Sequence, residues 1–600
     1  MYSLLTMPIL SCSKAAITRA GLALALLCGL AWLPHAQAAA TPGQQLRRIA
    51  DDYWAYYLRT DPEAATLYGD AAGLDRLRTL TPAAYAQAQR EARALLRRVQ
   101  ALPERGLTEM QGLDRTLLLH VLRTRLQSYR AQWHLMPINA YNGVQASLAG
   151  LVSATPFETE AHYRAYLARL QQVPAHLAQA RALALLGLRR GLVPPRELLD
   201  KVVAQCGEFA HARGMQSVFA APLVNKPWPA DFSPALREEL GSAILRAVDE
   251  QVLPAYAELG EWVRRDYAPR GRASAGVWAL PQGRRLYAEA VAAQTTTRLG
   301  PDAIHALGLR EVRRIEGEMT ALARRHGHAD LPALRRAIES DPQFRARSRE
   351  EVVADYRRYT GQIEAELPRL FGRLPKAALR IEAVPAVLEK DASTSYQQGT
   401  PDGSRAGLVW VNTYQFEQSS KASNEATAYH EGLPGHHLQI SIAQELPEVH
   451  PFHLSLSDEL NAYVEGWALY AEGLAKELGM YQELANEFGR LDSELFRAIR
   501  LVVDTGLHQR RWSRQRAMDY FEAHTGQRWE AEVDRYVLTP GQALGYKIGQ
   551  LKLLQLRQRA EAALGPRFEL PAFHDLLLGA GPLPLDLLER RVQAWVARQR

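Results

Sequence analysis

Cysteine is scarce in this chain of 600 residues, which contains only Cys12, Cys28 and Cys206. If an amino-terminal targeting segment is removed, Cys206 alone remains, and a single cysteine excludes an intramolecular disulfide. Stability must then come from a large apolar core, which a chain of this length can bury. Valines and a phenylalanine surround Cys206 in the sequence, so we expect this thiol to be buried.

The chain also lacks a long block of one charge, a repeat of fixed period and a Gly/Ser-rich linker. Its 72 basic and 65 acidic residues are interspersed and leave a net charge of +7. A nucleic-acid surface would need clustered basic residues, but only short pairs such as Arg189-Arg190 occur. We therefore expect no nucleic-acid partner and a single large domain over residues 41–600.

One uncharged apolar run stands out, and it spans only residues 20–33. Lys14 and Arg19 precede it, and Ala36 and Ala38 provide the small side chains that a signal peptidase requires. This three-part pattern is typical of a secretory signal peptide, here residues 1–38. We predict cleavage near Ala38, a periplasmic or secreted protein, and no stable transmembrane segment after processing.

Two alternatives to a cleaved signal peptide fit less well. An uncleaved anchor would need about 20 apolar residues to span a bilayer, and the run has 14. A lipoprotein would need a small residue before the modified cysteine, whereas Leu27 precedes Cys28. Cys12 does follow a serine, but no apolar run comes before it.

Helical periodicity dominates the body of the chain, where segments rich in Ala, Leu, Arg and Glu carry apolar residues at a spacing near 3.6. The predicted helices cover residues 43–59, 83–102, 112–132, 159–191, 236–265, 301–325, 349–366, 456–479, 482–508, 513–525 and 541–563. Pro174 and Pro254 fall inside two of them, where we expect a kink or a break. The fold class that follows is mainly α, a large helical bundle.

Two short segments have the composition of strands. Residues 379–384 alternate in polarity, and residues 407–413 are rich in β-branched and aromatic residues after a turn-forming stretch. We expect one small sheet there, embedded among helices. About twenty residues separate the second strand from a cluster of histidines, so the sheet should lie next to the helix that carries them.

Three histidines and a glutamate fall within eight residues: His430, Glu431, His436 and His437. Imidazole is a good zinc ligand, and a glutamate beside the first histidine can act as general base on water at the metal. The common H-E-x-x-H motif places its second histidine one helical turn on, at i+4. Here that position is Pro434. The cluster therefore predicts one zinc ion in a site with a different local geometry.

The second ligand is His436 or His437. On a straight helix His437 would share a face with His430 but lie about 10 Å farther along. That is too far for one zinc ion with Zn–N distances near about 2.1 Å. Pro434 and Gly435 can break or bend the helix. Such a bend favours His436, and His437 stays the alternative.

A third ligand is expected from the following helix, because a catalytic zinc ion has three protein ligands and an open position. Glu465 lies there on a face with alanine and leucine side chains, where a carboxylate is costly unless it is paired or binds a metal. Glu472 lies two turns on along the same face and could be a ligand or an outer partner. The alternative for Glu465 is a salt bridge to a buried arginine.

The run from His430 to Gln439 resembles a bacterial family known as domain of unknown function 885 (DUF885), and further shared motifs lie mainly between residues 390 and 555. These motifs are Gly403-Ser404-Arg405 with the strand to Asn412, Tyr463-x-Glu465-Gly466-Trp467-Ala468-Leu469-Tyr470-x-Glu472, Asp504-Thr505-Gly506-Leu507-His508 and Pro540-Gly541-Gln542-Ala543-x-x-Tyr546-x-x-Gly549. The family is grouped with gluzincin metallopeptidases of the peptidase MA clan. The resemblance implies a fold similar to helical oligopeptidases and carboxypeptidases, in which strand 408–413 is an edge strand that aligns an extended peptide.

The residues and the resemblance together imply zinc-dependent hydrolysis of a peptide substrate. Zinc held by His430, Glu465 and one of the two later histidines would acidify a water molecule, and Glu431 would pass the water's proton to the leaving amine. Tyr546 and His508, both in shared motifs, are the candidate donors to the oxyanion.

Asn412 and Arg500 are the candidate substrate-binding residues. Asn412 lies in the strand that is expected to align the peptide. Arg500 and Asp504 are four residues apart on one predicted helix, so we expect them to pair and to position His508 or a substrate carboxylate.

Two other functions fit the same residues. A zinc hydrolase of esters or non-peptide amides would use the same chemistry. A non-catalytic periplasmic scaffold would instead hold the metal with four protein ligands. Exopeptidase and endopeptidase activities are both compatible with the sequence. Histidines buried for packing alone are disfavoured, because three of them cluster beside a glutamate.

Overall fold

The computed structural model describes residues 40–225, 227–385, 389, 392–418, 420–446 and 449–600. The predicted signal peptide and its cleavage site near Ala38 lie outside the described residues. Helix accounts for 71% of the structure, and three strands form a small sheet. The predicted fold class, a mainly α protein built as a large helical bundle, is confirmed.

The helices follow one another along the whole described chain. Their bounds are α1 (Pro42–Thr60), α2 (Pro62–Leu67), α3 (Pro82–Ala101), α4 (Glu109–Ala131), α5 (Val144–Ala154), α6 (Glu160–Arg189), α7 (Arg196–His211), α8 (Ala221–Asn225), α9 (Pro234–Ala247), α10 (Leu253–Trp262), α11 (Gly283–Thr295), α12 (Pro301–Arg325), α13 (Leu331–Ser340), α14 (Arg349–Glu364), α15 (Asn424–Glu431), α16 (His436–Gln444), α17 (Leu456–Glu459), α18 (Asn461–Glu477), α19 (Leu484–His508), α20 (Arg514–Thr525), α21 (Glu530–Leu538), α22 (Leu544–Leu564), α23 (Leu570–Leu578) and α24 (Leu585–Gln599). In this part of the chain, no helix has the length and apolar character needed to cross a membrane.

Helix starts and helix faces follow from local sequence. Thr41 caps α1 by accepting a hydrogen bond from the backbone N–H of Gln44, whose side chain accepts one from the backbone N–H of Thr41. This reciprocal pair satisfies two donors that would otherwise be free. α12 buries a stripe that includes Val312, Ile315 and Met319, which is the pattern of a helix packed along one face.

The two internal prolines behave differently. Pro174 lies inside α6, which continues past it, so the break considered there does not occur. The segment predicted as one helix over residues 236–265 is divided into α9 and α10 by a π-helical turn, Val248–Val252. Pro254 is the second residue of α10, close to the position where a helix best tolerates a missing N–H.

The sheet consists of β1 (Leu379–Ala383), β2 (Ser395–Gln397) and β3 (Gly407–Val411), in the order β1-β3-β2. β3 pairs in parallel with β1 and antiparallel with β2. The predicted strands are confirmed, but the expectation that the strand at 408–413 is an edge strand is wrong, because β3 lies between the other two. β2 is a free edge, and Tyr396 of β2 contacts His437 of α16. The sheet therefore lies next to the histidine segment, as predicted.

Buried apolar side chains form one large cluster and smaller ones beside it. The large cluster extends from Leu46 in α1 to Val592 in α24, and a second joins α12 to α19, α20 and α21. Cys206 is fully buried in the large cluster, and burial raises the pKa of its thiol to about 12. The expected burial of this cysteine is confirmed.

The contact between α18 and α22 sets the geometry of the functional region. Gly466 and Gly549 face each other so closely that a Cβ atom on Gly466 would lie 2.4 Å from the Cα atom of Gly549. Only glycine permits this approach of two backbones. Glu465 and Tyr546 lie on these two helices beside the contact, so the contact fixes their relative position.

A buried charge network connects α12, α19 and α22. The side chain of Lys547 is fully buried, and its Nζ lies 2.6 Å from Oε1 of Glu494 and 3.3 Å from Oε2 of Glu311. Loss of one partner from such a buried network costs about 3 kcal/mol, because a charge is left without its counterion. We expect Lys547→Met to lower the free energy of unfolding by about that amount in urea titrations.

Lys552→Met is the matched control on the same helix. Lys552 pairs with Glu589, and both side chains are partly exposed, so the pair contributes at most about 1 kcal/mol. Equal losses in the two variants would contradict the role assigned to the buried network.

Candidate metal centre

The histidine segment folds as two helices that meet in a sharp turn of four residues, between α15 and α16. Gly435 packs directly onto the end of α15, where a Cβ atom would lie 2.0 Å from the carbonyl oxygen of His430. Nε1 of Trp467 donates a 2.9 Å hydrogen bond to the carbonyl oxygen of Pro434 and holds the turn in place. The turn therefore brings His436 back beside His430.

His430, His436 and Glu465 form a cluster that could hold a metal ion. Oε2 of Glu465 lies 3.4 Å from Nε2 of His430 and 3.3 Å from Nε2 of His436, and the three ligand atoms lie within 4.8 Å of one another. Two ligands at about 2.1 Å from a tetrahedral zinc ion are themselves about 3.4 Å apart. Among the described residues, no other group of His, Cys, Asp and Glu side chains has comparable spacing.

A buried oxygen in the cluster lacks a hydrogen-bond donor. Oε2 of Glu465, the atom that faces both imidazoles, is buried and accepts no hydrogen bond. A buried acceptor left in this state costs free energy, and a cation between the carboxylate and the two rings would remove the cost. Two imidazoles and one carboxylate are also ligands that zinc accepts, so the residues fit a zinc ion.

Glu472 fixes the orientation of His430. Its Oε1 lies 2.8 Å from Nδ1 of His430, and both side chains are buried. Nδ1 therefore donates its proton to the carboxylate, and a metal ion that replaces the proton on Nε2 would meet a lone pair directed into the cluster. Of the two roles considered for Glu472, the structure places it as the outer partner.

Local charges keep Glu465 ionised. Burial raises the pKa of this carboxyl, but the adjacent rings of His436 and His430 outweigh burial and hold the pKa well below its usual value. Burial lowers the pKa of His430, but the carboxylates of Glu465 and Glu472 outweigh burial and raise it to about 9. The alternative salt bridge from Glu465 to a buried arginine is not formed within the described chain.

Glu431 lies beside the cluster and is only partly buried. No hydrogen bond to its carboxylate is found within the part of the chain that the structure describes. Burial raises the pKa of this carboxyl, and His430 and His436 oppose the shift. A carboxylate with a raised pKa and free oxygen atoms is suited to accept a proton.

Tyr546 lies over His430, with the ring centroids 6.4 Å apart and the planes at 13°. Its hydroxyl oxygen accepts a 3.1 Å hydrogen bond from Nη2 of Arg535, and the guanidinium carbon of Arg500 lies 4.3 Å from its ring centroid. Burial, followed by Glu465, raises the pKa of Tyr546. The phenol therefore stays neutral and has a proton to donate.

His437 is not part of the cluster, and its prediction as a metal ligand is wrong. Its Nε2 lies 3.2 Å from the carbonyl oxygen of Ala377, and its Nδ1 lies 3.1 Å from the hydroxyl of Tyr396. Burial lowers the pKa of His437 to about 4, so the neutral ring donates to the carbonyl and accepts from the hydroxyl. The turn directs His436 to the cluster and His437 to the sheet.

Both ring nitrogens of His508, the second candidate donor to the oxyanion, are already bonded within the protein. His508 is fully buried, its Nδ1 accepts a hydrogen bond from the backbone N–H of Val277, and its Nε2 donates to the carbonyl oxygen of Tyr536. Burial lowers the pKa of its ring to about 3. The prediction is therefore corrected: both nitrogens are used to join α19 to α21 and to the segment before α11.

The side chain of Asn412 is also fully used within the protein. Its Nδ2 donates to the carbonyl oxygens of Glu389 and Ala392, and its Oδ1 accepts from the backbone N–H of Tyr414. These hydrogen bonds connect the end of β3 to the segment of the chain that precedes β2. The predicted contact of this side chain with substrate is therefore corrected to a structural role.

Arg500 and Asp504 do not pair, although they are four residues apart on α19. Arg500 donates to the hydroxyl of Tyr536 and pairs with Glu532. Asp504 accepts hydrogen bonds from the hydroxyl of Tyr287 and the backbone N–H of Gly541. Partners from other helices replace the expected local pair.

Two arginines near the cluster were not predicted. Arg535 bonds Tyr546 from α21, and Arg497 lies one turn before Arg500 on α19. The sequence around Arg535 resembles an ordinary surface helix, with Glu532 three residues earlier. Only the hydrogen bond that Arg535 makes from α21 to Tyr546 of α22 reveals its position, so no local signal could have identified it.

Comparisons with known proteins agree with this fold. The family model described as "Bacterial protein of unknown function (DUF885)" matches residues 62–592. The crystal structure of a candidate lipoprotein from Colwellia psychrerythraea superposes with a TM-score of 0.88 at 28% identity, covering 93% of this chain and 100% of that one. A candidate lipoprotein of unknown function from Shewanella oneidensis shares the fold, with a TM-score of 0.68, 18% identity and coverage of 92% and 99%.

No protein with a curated description matches the chain significantly. The family model nevertheless extends over most of the sequence and includes the histidine segment, α18 and α22. The chain therefore belongs to the DUF885 family of bacterial proteins of unknown function.

Proposed function

We propose that this protein is a zinc-dependent peptidase of the gluzincin type. The observation that carries the proposal is the spacing of Nε2 of His430, Nε2 of His436 and Oε2 of Glu465, with edges of 3.4 Å and 3.3 Å. Three protein ligands leave one position of a tetrahedral zinc ion open, as in catalytic sites. A structural site would have four protein ligands, and the described residues offer no fourth in this cluster.

Glu431 is the general base in this proposal. Zinc, when bound, supplies a Lewis acid that lowers the pKa of water and polarises a carbonyl group. Glu431 accepts a proton from the attacking water while the oxygen of that water forms a bond to the carbonyl carbon of the substrate. Glu431 then returns the proton to the leaving nitrogen as the C–N bond breaks. The products are a carboxylate and an amine.

Tyr546 is the donor to the oxyanion. Its hydroxyl oxygen already accepts a hydrogen bond from Arg535, which leaves its own proton for a second acceptor. The negative charge that develops on the carbonyl oxygen is such an acceptor, and a preorganised donor at this point favours the transition state. This assignment keeps one of the two predicted donors and omits His508.

An extended peptide needs a free strand edge, and β2 offers one. Among the described strands, β2 pairs with β3 only, so its other side can hydrogen-bond to a substrate backbone. Tyr396 of β2 touches His437, which follows the ligand His436. The role expected for strand 408–413 is therefore transferred to β2.

The proposed location is outside the cytoplasm. The three-part pattern of residues 1–38 is typical of a secretory signal. The two similar structures are of candidate lipoproteins, which are proteins of the cell envelope. Both observations support a periplasmic or secreted peptidase.

Digestion of a peptide library tests the proposal. The mature protein, loaded with one equivalent of zinc, is incubated with the library, and products are identified by mass spectrometry. We expect cleavage that stops when a chelator removes the metal and returns when zinc is added back, because the ligands remain in place. Cleavage that persists without metal, or zinc-loaded protein that hydrolyses only ester substrates, would contradict a zinc peptidase.

A further inference from the structure

Two arginines, Arg500 and Arg535, contact Tyr546, and Arg497 lies one turn before Arg500 on α19. Arg500 and Arg535 share Glu532, at 3.0 Å and 3.3 Å respectively. Arg497, one turn before Arg500, has no carboxylate within 4 Å among the described residues and donates only to Ser493. At the Arg500–Arg535 pair, two positive charges and the one negative charge of Glu532 leave an excess of one positive charge.

Several donor atoms of these arginines are unused. Nη1 of Arg500, Nε of Arg535 and Nε of Arg497 are all buried and have no hydrogen-bond partner. Arg500 is only 4% exposed. Unsatisfied N–H groups on a buried cation cost more than those on a neutral donor. Two of these groups, on Arg500 and Arg535, belong to arginines that both contact Tyr546, and they indicate that an anion belongs beside this pair.

The position of the arginines connects this anion to the candidate metal centre. Arg535 and Arg500 both contact Tyr546, and the Tyr546 ring lies against His430. On its other side Arg535 bonds Gln542 and lies 5.6 Å from the ring of Tyr141.

A cleft of about 810 Å³ opens beside Arg535, whose partners Gln542 and Tyr141 both line it. Its lining includes Tyr141, Asn139, Asn142 and Gln542. Tyr141 is 48% exposed, which is unusual for an aromatic ring next to buried charges. The cleft gives room for the residue that carries the anion.

We propose that Arg500 and Arg535 form the subsite for the terminal carboxylate of a peptide. The unused Nη1 of Arg500 and the unused Nε of Arg535 can each donate a charge-assisted hydrogen bond to a carboxylate oxygen. This inference rests on the proposed peptidase function and makes the protein an exopeptidase that acts near a free C-terminus. A side-chain carboxylate of the substrate has the same chemistry and is the alternative source of the anion.

Binding of three matched peptides tests the inference without hydrolysis. The probes are Ala-Ala-Ala-Phe-Ala as the free acid, the same peptide as the C-terminal amide, and an amide whose last residue is glutamate. Calorimetry uses the zinc-loaded Glu431→Gln variant. We expect the free acid to bind about 10- to 100-fold more tightly than either amide, which is the range for a charge-assisted pair of hydrogen bonds. Equal binding of acid and amide overturns the inference, and tight binding of the glutamate amide assigns the subsite to a side chain.

Variants identify the source of the preference. Arg535→Gln, and Arg500→Lys with its charge retained, should each reduce the preference for the acid to a few-fold. Arg510→Gln, which removes a surface pair with Asp302, should leave the preference unchanged. Circular dichroism checks the folding of each variant. A preference that persists in both arginine variants comes from the metal and contradicts the subsite.

Hydrolysis by the wild-type protein separates the two proposals. We expect kcat/KM for the free acid to exceed that for the amide by a similar factor, with cleavage within one or two residues of the C-terminus. Internal cleavage of the free acid and the amide at equal rates would support the proposed peptidase function but contradict the proposed carboxylate subsite. Tighter binding of the free acid without hydrolysis of any peptide would support the carboxylate subsite but contradict the proposed peptidase function.

Discussion

Replacing Glu431 with glutamine is expected to leave zinc binding intact and to lower peptide hydrolysis by about two to four orders of magnitude. Glutamine has the same shape as glutamate but cannot accept a proton from water at neutral pH. Glu431 is not one of the three ligand residues, and its carboxylate has no hydrogen-bond partner in the described part of the chain. The substitution therefore removes the base without removing a ligand or a structural contact. Zinc content is measured by mass spectrometry of the metal, and kcat/KM is measured with a cleaved peptide.

Glu483→Gln is the control for this variant, because Glu483 is exposed just before α19. It should change neither zinc content nor kcat/KM. Full activity in Glu431→Gln would exclude Glu431 as the base. Loss of zinc together with activity would instead make it a ligand and would contradict the cluster of three ligand residues.

Much of this fold could be predicted because its helices carry their own signals. Apolar spacing identified segments such as α12, whose predicted and observed bounds are both 301–325. The strand order could not be predicted in the same way. β2 has only three residues, and its pairing with β3 depends on contacts distant in sequence. Without β2, β3 would be an edge strand, which is why the predicted edge was wrong.

The residue types of the candidate site could be predicted, but which histidine ring points to the metal cluster could not. The concentration of His430, Glu431 and His436 within seven residues is rare enough to indicate a metal, and Glu465 was identified by its apolar surroundings. The choice between His436 and His437 needed the turn at Gly435, whose close approach to the His430 carbonyl is a tertiary contact. The sequence does not give the angle of this bend, so both His436 and His437 remained possible as the second metal ligand.

Polar partners were the least predictable feature, because local spacing competes with partners from other helices. Arg500 and Asp504 have the i,i+4 spacing of a helical pair, worth only about 0.5 kcal/mol or less. In the fold, Arg500 meets Glu532 and Asp504 meets Tyr287 and the backbone of Gly541. Buried charge-assisted hydrogen bonds are stronger than a local surface pair, so the tertiary partners prevail.

The adjacent residues His436 and His437 provide the sharpest test of the metal centre. His436→Ala removes one of three ligand atoms and should lower zinc affinity by more than about 100-fold, beyond the usual cost of losing an outer-shell partner. His437→Ala removes a ring that bonds Ala377 and Tyr396. It should retain zinc affinity within a few-fold and lower the free energy of unfolding by about 1–3 kcal/mol, because buried polar groups lose their partner.

Two measurements on the same pair of variants distinguish these effects. A competitive zinc titration gives the affinity, and thermal unfolding with and without zinc gives the stabilisation, since a ligand that binds only the folded state raises Tm. Zinc should raise Tm of the wild type and of His437→Ala, but not of His436→Ala. The opposite pattern would place His437 at the metal. An equal rise of Tm with zinc in both variants would mean that neither histidine is a ligand, and loss of the rise in both would mean that both are. The two substitutions are alike in size and differ only in the direction that the Gly435 turn gives to the ring.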